Sequence, residues 1–235
     1  MTQLKSSSDS QLSSEKTDEL KSHVSPLLAK LLYPLGCHLV VPSFFGKIEI
    51  FGQENIPLHD PVIIAPTHRS RWDAVIVPYA VGRLVSGRDL RFMVSANEVK
   101  GIQGWIIRRM GGFPVNTDRP QLNSVRHSIE LLKSNQEMLV IFPEGGIFND
   151  ERIHPLKRGV ASIALQAETD RSEEGVKILP VGIRYSRPYP TWGTDVRVDI
   201  GAALTVKKYQ TKSLRQSSQK LTAALQKSLE ELYEN

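Results

Sequence analysis

The feature that most constrains the fold is an alternation along the chain. Short apolar runs bounded by proline or glycine are each followed by a stretch with apolar residues at helical spacing. Lys47–Phe51, Pro61–Ala65, Arg91–Ser95, Met138–Phe142, Val176–Tyr185 and Asp195–Ile200 have the length and composition of strands. Asp73–Leu84, Glu98–Arg109, Gln121–Lys133 and Gly159–Ala167 read as helices. The chain closes on an amphipathic helix carrying Leu214, Leu221, Leu225, Leu229 and Leu232. A strand that returns to its sheet through a helix covers the faces of that sheet, so the order predicts an α/β fold. Specifically, it predicts a single domain with a mixed, largely parallel β-sheet flanked by helices. With 235 residues and 40% hydrophobic content the chain can bury one sizeable core, and no repeat or linker divides it.

Two segments precede this alternation. Residues 1–22 are Ser-rich and polar; beyond Met1 their large apolar residues are Leu4, Leu12 and Leu20. They read as a disordered tail, without the apolar region of a secretory signal. Residues 23–45 are different. Ser25-Pro26 suits a helix entrance, and Leu27, Leu28, Leu31, Leu32, Leu35, Leu39, Val40, Val41, Phe44 and Phe45 follow. The uncharged part, Leu31–Gly46, is interrupted by Pro34, His38 and Pro42 and falls short of the roughly 20 residues of a membrane span. A helix or helical pair in the membrane interface is expected, with packing of that helix on the core as the alternative. The net charge of +5 and pI near 9.3 suit an anionic substrate or membrane surface. Nothing resembles a nucleic-acid-binding module, so no nucleic acid partner is expected. The single Cys37 rules out an intramolecular disulfide and fits a reducing compartment.

The chemistry concentrates after Pro61–Ala65, where the chain reads Pro66-Thr67-His68-Arg69-Ser70-Arg71-Trp72-Asp73. On one continuous helix, residues five apart point about 140° away from each other. A working His68–Asp73 pair therefore needs His68 on the loop and Asp73 at the helix entrance, where a carboxylate also suits the helix dipole. An imidazole so placed can take a proton from a hydroxyl while the carboxylate fixes its tautomer. The chain has no Gly-x-Ser-x-Gly elbow, so the nucleophile must be a hydroxyl of the substrate. A metal site built from His59, His68 and Asp73 is a weaker alternative, since no paired-histidine spacing supports it.

Phe142-Pro143-Glu144-Gly145-Gly146 ends a second strand in a glycine-rich turn, and ligands gather at the carboxyl ends of strands in such sheets. The order is then His-x4-Asp, Gly111-Gly112-Phe113-Pro114-Val115, Phe-Pro-Glu-Gly, Leu156-Lys157-Arg158-Gly159 and Ile178-Leu179-Pro180-Val181. In these residues the chain resembles the glycerolipid acyltransferase family, the 1-acylglycerol-3-phosphate acyltransferases and their relatives, over roughly residues 46 to 205. The family's first block is similar to Asn-His-x-Ser-x-x-Asp, and this chain departs from it only at Thr67. Phe-Pro-Glu-Gly matches the third block in full.

The resemblance implies that residues 46–235 form a catalytic domain in which His68 is the base and Asp73 its orienting partner. It implies a fatty acyl thioester of acyl carrier protein or coenzyme A as donor, a lysophospholipid acceptor, most directly 1-acyl-sn-glycerol 3-phosphate, and no cofactor or metal. A membrane-associated location at the cytoplasmic face goes with it. Relatives carry basic residues where this chain has Asn97, Thr117 and Ile147 after Gly146. Nearby cations are Arg69, Arg71, Lys100, Arg108, Arg109, Arg119, Lys157 and Arg158. Of these, Arg119 and Lys157 are expected to bind the acceptor phosphate, with Glu144 and Gly145 shaping that site. Glycerol 3-phosphate or another lysolipid as acceptor, and a lipid-binding protein without turnover, are the rival readings.

Overall fold

The computed structural model describes residues 23–116, 122–134, 137–169 and 175–234. The tail expected over residues 1–22, and the expected phosphate contact of Arg119, lie outside the described residues. The chain enters as helix α1 (Pro26–Phe44) and runs straight into strand β1 (Phe45–Phe51). Strand β2 (Val62–Pro66) leads through a loop to α2 (Asp73–Val81) and the short α3 (Arg83–Ser86). There follow β3 (Leu90–Ser95), α4 (Gly101–Arg109), β4 (Gly112–Val115), α5 (Leu122–Lys133), β5 (Met138–Val140) and α6 (Gly159–Glu168). The chain ends with β6 (Lys177–Tyr185), β7 (Thr194–Ile200), β8 (Leu204–Thr205) and α7 (Leu214–Glu234).

The described strands form one eight-stranded sheet in the order β1-β7-β6-β2-β5-β3-β4, with β8 also paired to β6. Every pairing is parallel except those of β6 with β7 and β8. The exception between β6 and β7 has a physical cause: the link from Tyr185 to Thr194 is too short for a helical crossover, so those strands must run antiparallel. The mixed, largely parallel sheet expected from the alternation is what forms. Two strands were not legible in the sequence. β4 lies at the sheet edge, where Pro114 is tolerated, and β8 is only two residues long.

Central strand β2 positions the site. All five of its residues are buried, as a strand covered on both faces requires. Val62 and Ile64 pack with Val41 of α1, with Ile76 and Val77 of α2, and with Leu179 and Val181. Ile63 and Ala65 face the other way, onto Leu132 of α5, Val160, Ala161 and Ala164 of α6, and Leu221, Leu225 and Leu229 of α7. At about 1.5–3 kcal/mol for each large apolar side chain buried, these two layers dominate the stability of the fold.

Residues 26–44 are one helix rather than a broken pair. Its turn over Leu35–Val40 is widened, and Val41 N–H bonds back to Gly36 O. That shift in hydrogen-bond register comes just ahead of Pro42, which has no N–H to donate. By length and composition the helix is long and apolar enough to cross a membrane. Ala29, Tyr33, Cys37 and Val41 form its buried stripe, whereas Leu27, Leu31 and Leu39 on the outer face are 79%, 63% and 59% exposed.

Candidate active site

His68 follows β2 by two residues on a loop, and Asp73 is the first residue of α2. The sequence asked for this placement of the pair. Asp73 is fully buried, and its Oδ2 lies 2.8 Å from His68 Nδ1. The same oxygen accepts the backbone N–H of Arg69 at 2.7 Å and of Ser70 at 2.9 Å, so one carboxylate both curls the loop and orients the ring. A carboxylate only accepts, so the proton of this contact sits on Nδ1 and leaves the lone pair on Nε2. Among the described residues Nε2 has no hydrogen-bond partner. The ring is stacked on Phe142 at 3.9 Å between centroids, with 19% of the side chain exposed. The result is an imidazole with a fixed tautomer, a fixed plane and an open nitrogen, which is what a general base needs.

The frame around this pair reaches across the molecule. Thr67, the one departure in the first block, bonds through its N–H to Val181 O and accepts Ile183 N–H at its hydroxyl, tying the loop to β6. Arg69 is 4% exposed. It bonds to Glu144 at 2.9 and 3.1 Å, to Arg152 O at 2.8 Å and to the Tyr233 hydroxyl at 3.0 Å. Tyr233 in turn donates to Ile183 O, which brings the end of α7 against the loop. Burial raises the Tyr233 phenol above its ordinary pKa, so it remains a donor. On the outer side the ring of Phe44, the last residue of α1, stacks on Trp72 at 4.2 Å and meets Trp192 edge-on at 5.8 Å.

The residues expected from the sequence to form the acceptor site divide into two kinds. Glu144 is 4% exposed, and its carboxylate accepts from Arg69, from His68 N–H at 3.1 Å and from His154 N–H at 3.0 Å. It therefore does not present a free oxygen to an acceptor; it holds two loops in register. Gly145 and Lys157 do come together. Gly145 has φ +73°, and a Cβ added there would lie 2.5–2.6 Å from the Lys157 side chain. Glycine is needed for the left-handed backbone, and the flexible end of the Lys157 side chain lies over the space a Cβ would take. Lys157 N–H bonds to Pro143 O at 2.8 Å, which lays its exposed side chain across this turn. Among the described residues its ammonium has no acidic partner. Arg71 differs: it is ion-paired with Glu98.

Two residues of this frame were missed from the sequence. Tyr185, at the end of β6, donates to Asp73 Oδ1 at 2.7 Å. Tyr233 lies 164 positions beyond Arg69. No local spacing signals either; Tyr185 could have been found only by asking which polar side chain ends the strand beside β2. Among the described residues no three His, Cys, Asp or Glu side chains come together as a metal site.

Comparison with known proteins places this geometry. A family model described as Acyltransferase matches residues 47–184. The 1-acyl-sn-glycerol-3-phosphate acyltransferase of Streptococcus pneumoniae is 28% identical over 148 residues, 61% of this chain and 49% of that protein. The Bacillus subtilis protein of the same name is 32% identical over 127 residues, 53% of this chain and 60% of its own length. The matches thus span about half to three-fifths of these relatives. The crystal structure of the 1-acyl-sn-glycerophosphate (LPA) acyltransferase from Thermotoga maritima shares the fold, with a TM-score of 0.60 over 86% of this chain and 79% of that one at 22% identity. With more than half of its length matched by the family model, the chain belongs to the Acyltransferase family.

Proposed function

We propose that this protein transfers a fatty acyl chain from a thioester to the free hydroxyl of 1-acyl-sn-glycerol 3-phosphate, making phosphatidic acid. His68 Nε2 takes the hydroxyl proton as the oxygen attacks the thioester carbonyl. Asp73 stabilises the imidazolium that forms; the tetrahedral intermediate then expels the thiolate, which is protonated by His68. The observation that carries this reading is the 2.8 Å contact between His68 Nδ1 and Asp73, with Nε2 left open. No cofactor enters the chemistry, and the donor, acyl carrier protein or coenzyme A thioester, is itself a substrate. The free ammonium of Lys157 meets the acceptor phosphate, with Arg119 as a second cation. Residues 46–235 are the catalytic domain. The outer face of α1 lies in the membrane interface on the cytoplasmic side, supported by its exposed leucines and by Trp192, 71% exposed against Phe44.

The test is thiol release from an acyl thioester by the purified full chain, with 1-acyl-sn-glycerol 3-phosphate, glycerol 3-phosphate or lysophosphatidylcholine as acceptor. Release is expected with the first acceptor and should fall by about 100- to 10,000-fold in His68→Ala. Turnover retained in a folded His68→Ala protein overturns the mechanism. Release confined to another acceptor keeps the mechanism and changes the substrate.

A further inference from the structure

The two oxygens of Asp73 are used differently. Oδ2 accepts from His68 Nδ1 and from two backbone N–H groups, whereas Oδ1 accepts only from Tyr185 Oη, at 2.7 Å, among the described residues. We propose that Tyr185 is a positioning residue for the acyl transfer: its hydroxyl pins Asp73 Oδ1, holds the carboxylate facing His68 and moderates its pull on the Nδ1 proton. The inference rests on the acyltransferase reading above.

Three observations support it. Asp73 is fully buried, and a buried carboxylate oxygen without a donor is costly, so Oδ1 needs this bond to stay where it is. A carboxylate held by donors at one oxygen alone can rotate; a donor on the other oxygen fixes its plane. The phenol is also a dependable donor. Burial, and then the adjacent Asp73 charge, push its pKa far above the ordinary tyrosine value, so it stays protonated. The ring is held at the end of β6, 6.0 Å from the ring of Phe45, where α1 passes into β1. Arg69, Glu144 and Tyr233 brace the loop around the pair, but among the described residues none of their side chains bonds to the Asp73 carboxylate.

The test uses the full chain. Tyr185→Phe keeps the ring and removes the donor, so kcat should fall about tenfold with KM for both substrates unchanged. The Nδ1–H proton resonance of His68, identified by its loss in His68→Ala, should move: downfield where the relieved carboxylate stays in place and draws harder on that proton, upfield where it rotates away. A difluorotyrosine in place of Tyr185 keeps the shape and donates more strongly, so it should move the resonance upfield. This second variant decides the matter if Tyr185→Phe does not fold. A merely structural role would lower stability without moving the resonance. An unmoved resonance in the folded Tyr185 variants, with kcat within twofold of the unaltered protein, overturns the proposal. If the unaltered protein transfers no acyl group, the acyltransferase reading fails, while the resonance still decides the role of Tyr185 at Asp73.

Discussion

The loop after β2 and the turn after β5 leave the same end of the sheet on neighbouring parallel strands, yet they carry charge in opposite ways. In the first, Asp73 and Arg69 are buried and their partners are supplied by the protein itself, Arg69 by the buried Glu144 that reaches over from the start of the second. In the second, Lys157 is exposed across Gly145 without an acidic partner among the described residues. A buried ion pair adds little net stability, because desolvation offsets its attraction, but it fixes geometry, and breaking half of it is costly. An exposed cation is mobile and hydrated, adds little to the fold and remains available to an anion. The contrast teaches that the His68–Asp73 geometry is set by the fold, whereas Lys157 is left open by it; under the proposed function, that opening is where the acceptor phosphate would complete the contact.

The largest effect expected from breaking this contrast is on the buried side. Glu144→Ala strands the Arg69 guanidinium and frees two loops, and should cost about 3–5 kcal/mol in urea unfolding, with activity lost alongside. Replacing Arg69 with Leu in the same protein should restore part of the stability, but not the activity, because His68 N–H and His154 N–H still lack their acceptor. Full recovery of turnover would show that Glu144 acts only as a counter-ion. Next in size, Lys157→Ala should leave the unfolding midpoint unchanged and lower kcat/KM for 1-acyl-sn-glycerol 3-phosphate about 10- to 30-fold, which is roughly 1.4–2 kcal/mol. The deficit should vanish with 1-monoacylglycerol, which has no phosphate. An equal loss with both acceptors would assign Lys157 to the donor or to the loop instead. The smallest effect sharpens the comparison from outside. Arg71 is 75% exposed and paired with Glu98, so Arg71→Ala should change stability by less than about 1 kcal/mol, the usual scale of a surface pair.

How far the site was legible follows from how far apart in sequence its parts lie. His68 and Asp73 are five positions apart, and a strand end followed by a helix start is enough to pair them. Gly145 and Lys157 are visible as a glycine-rich turn and a nearby cation, although their contact is not. Glu144 is legible as a residue of the site because it sits in a motif at a strand end. Its burial between two loops depends on β2 and β5 being neighbours, which no local pattern records. Tyr185 lies 112 positions from Asp73 and reaches it only through the parallel register of β2 with β6.

α1 gives the same lesson from the other side. Its prolines suggest a break, and the chain avoids one by widening a single turn, a choice made by hydrogen-bond register and packing rather than by composition. The sequence by itself determined most of the strand-and-helix order, the largely parallel sheet, the buried strand ahead of the site and the His–Asp pair at its end, because hydrophobic periodicity and short spacings are local quantities. Only the tertiary structure decided which donors saturate Asp73, which charges are buried and which cation stays free. Those depend on strand order and register, which bring together residues more than a hundred positions apart and determine what water can reach.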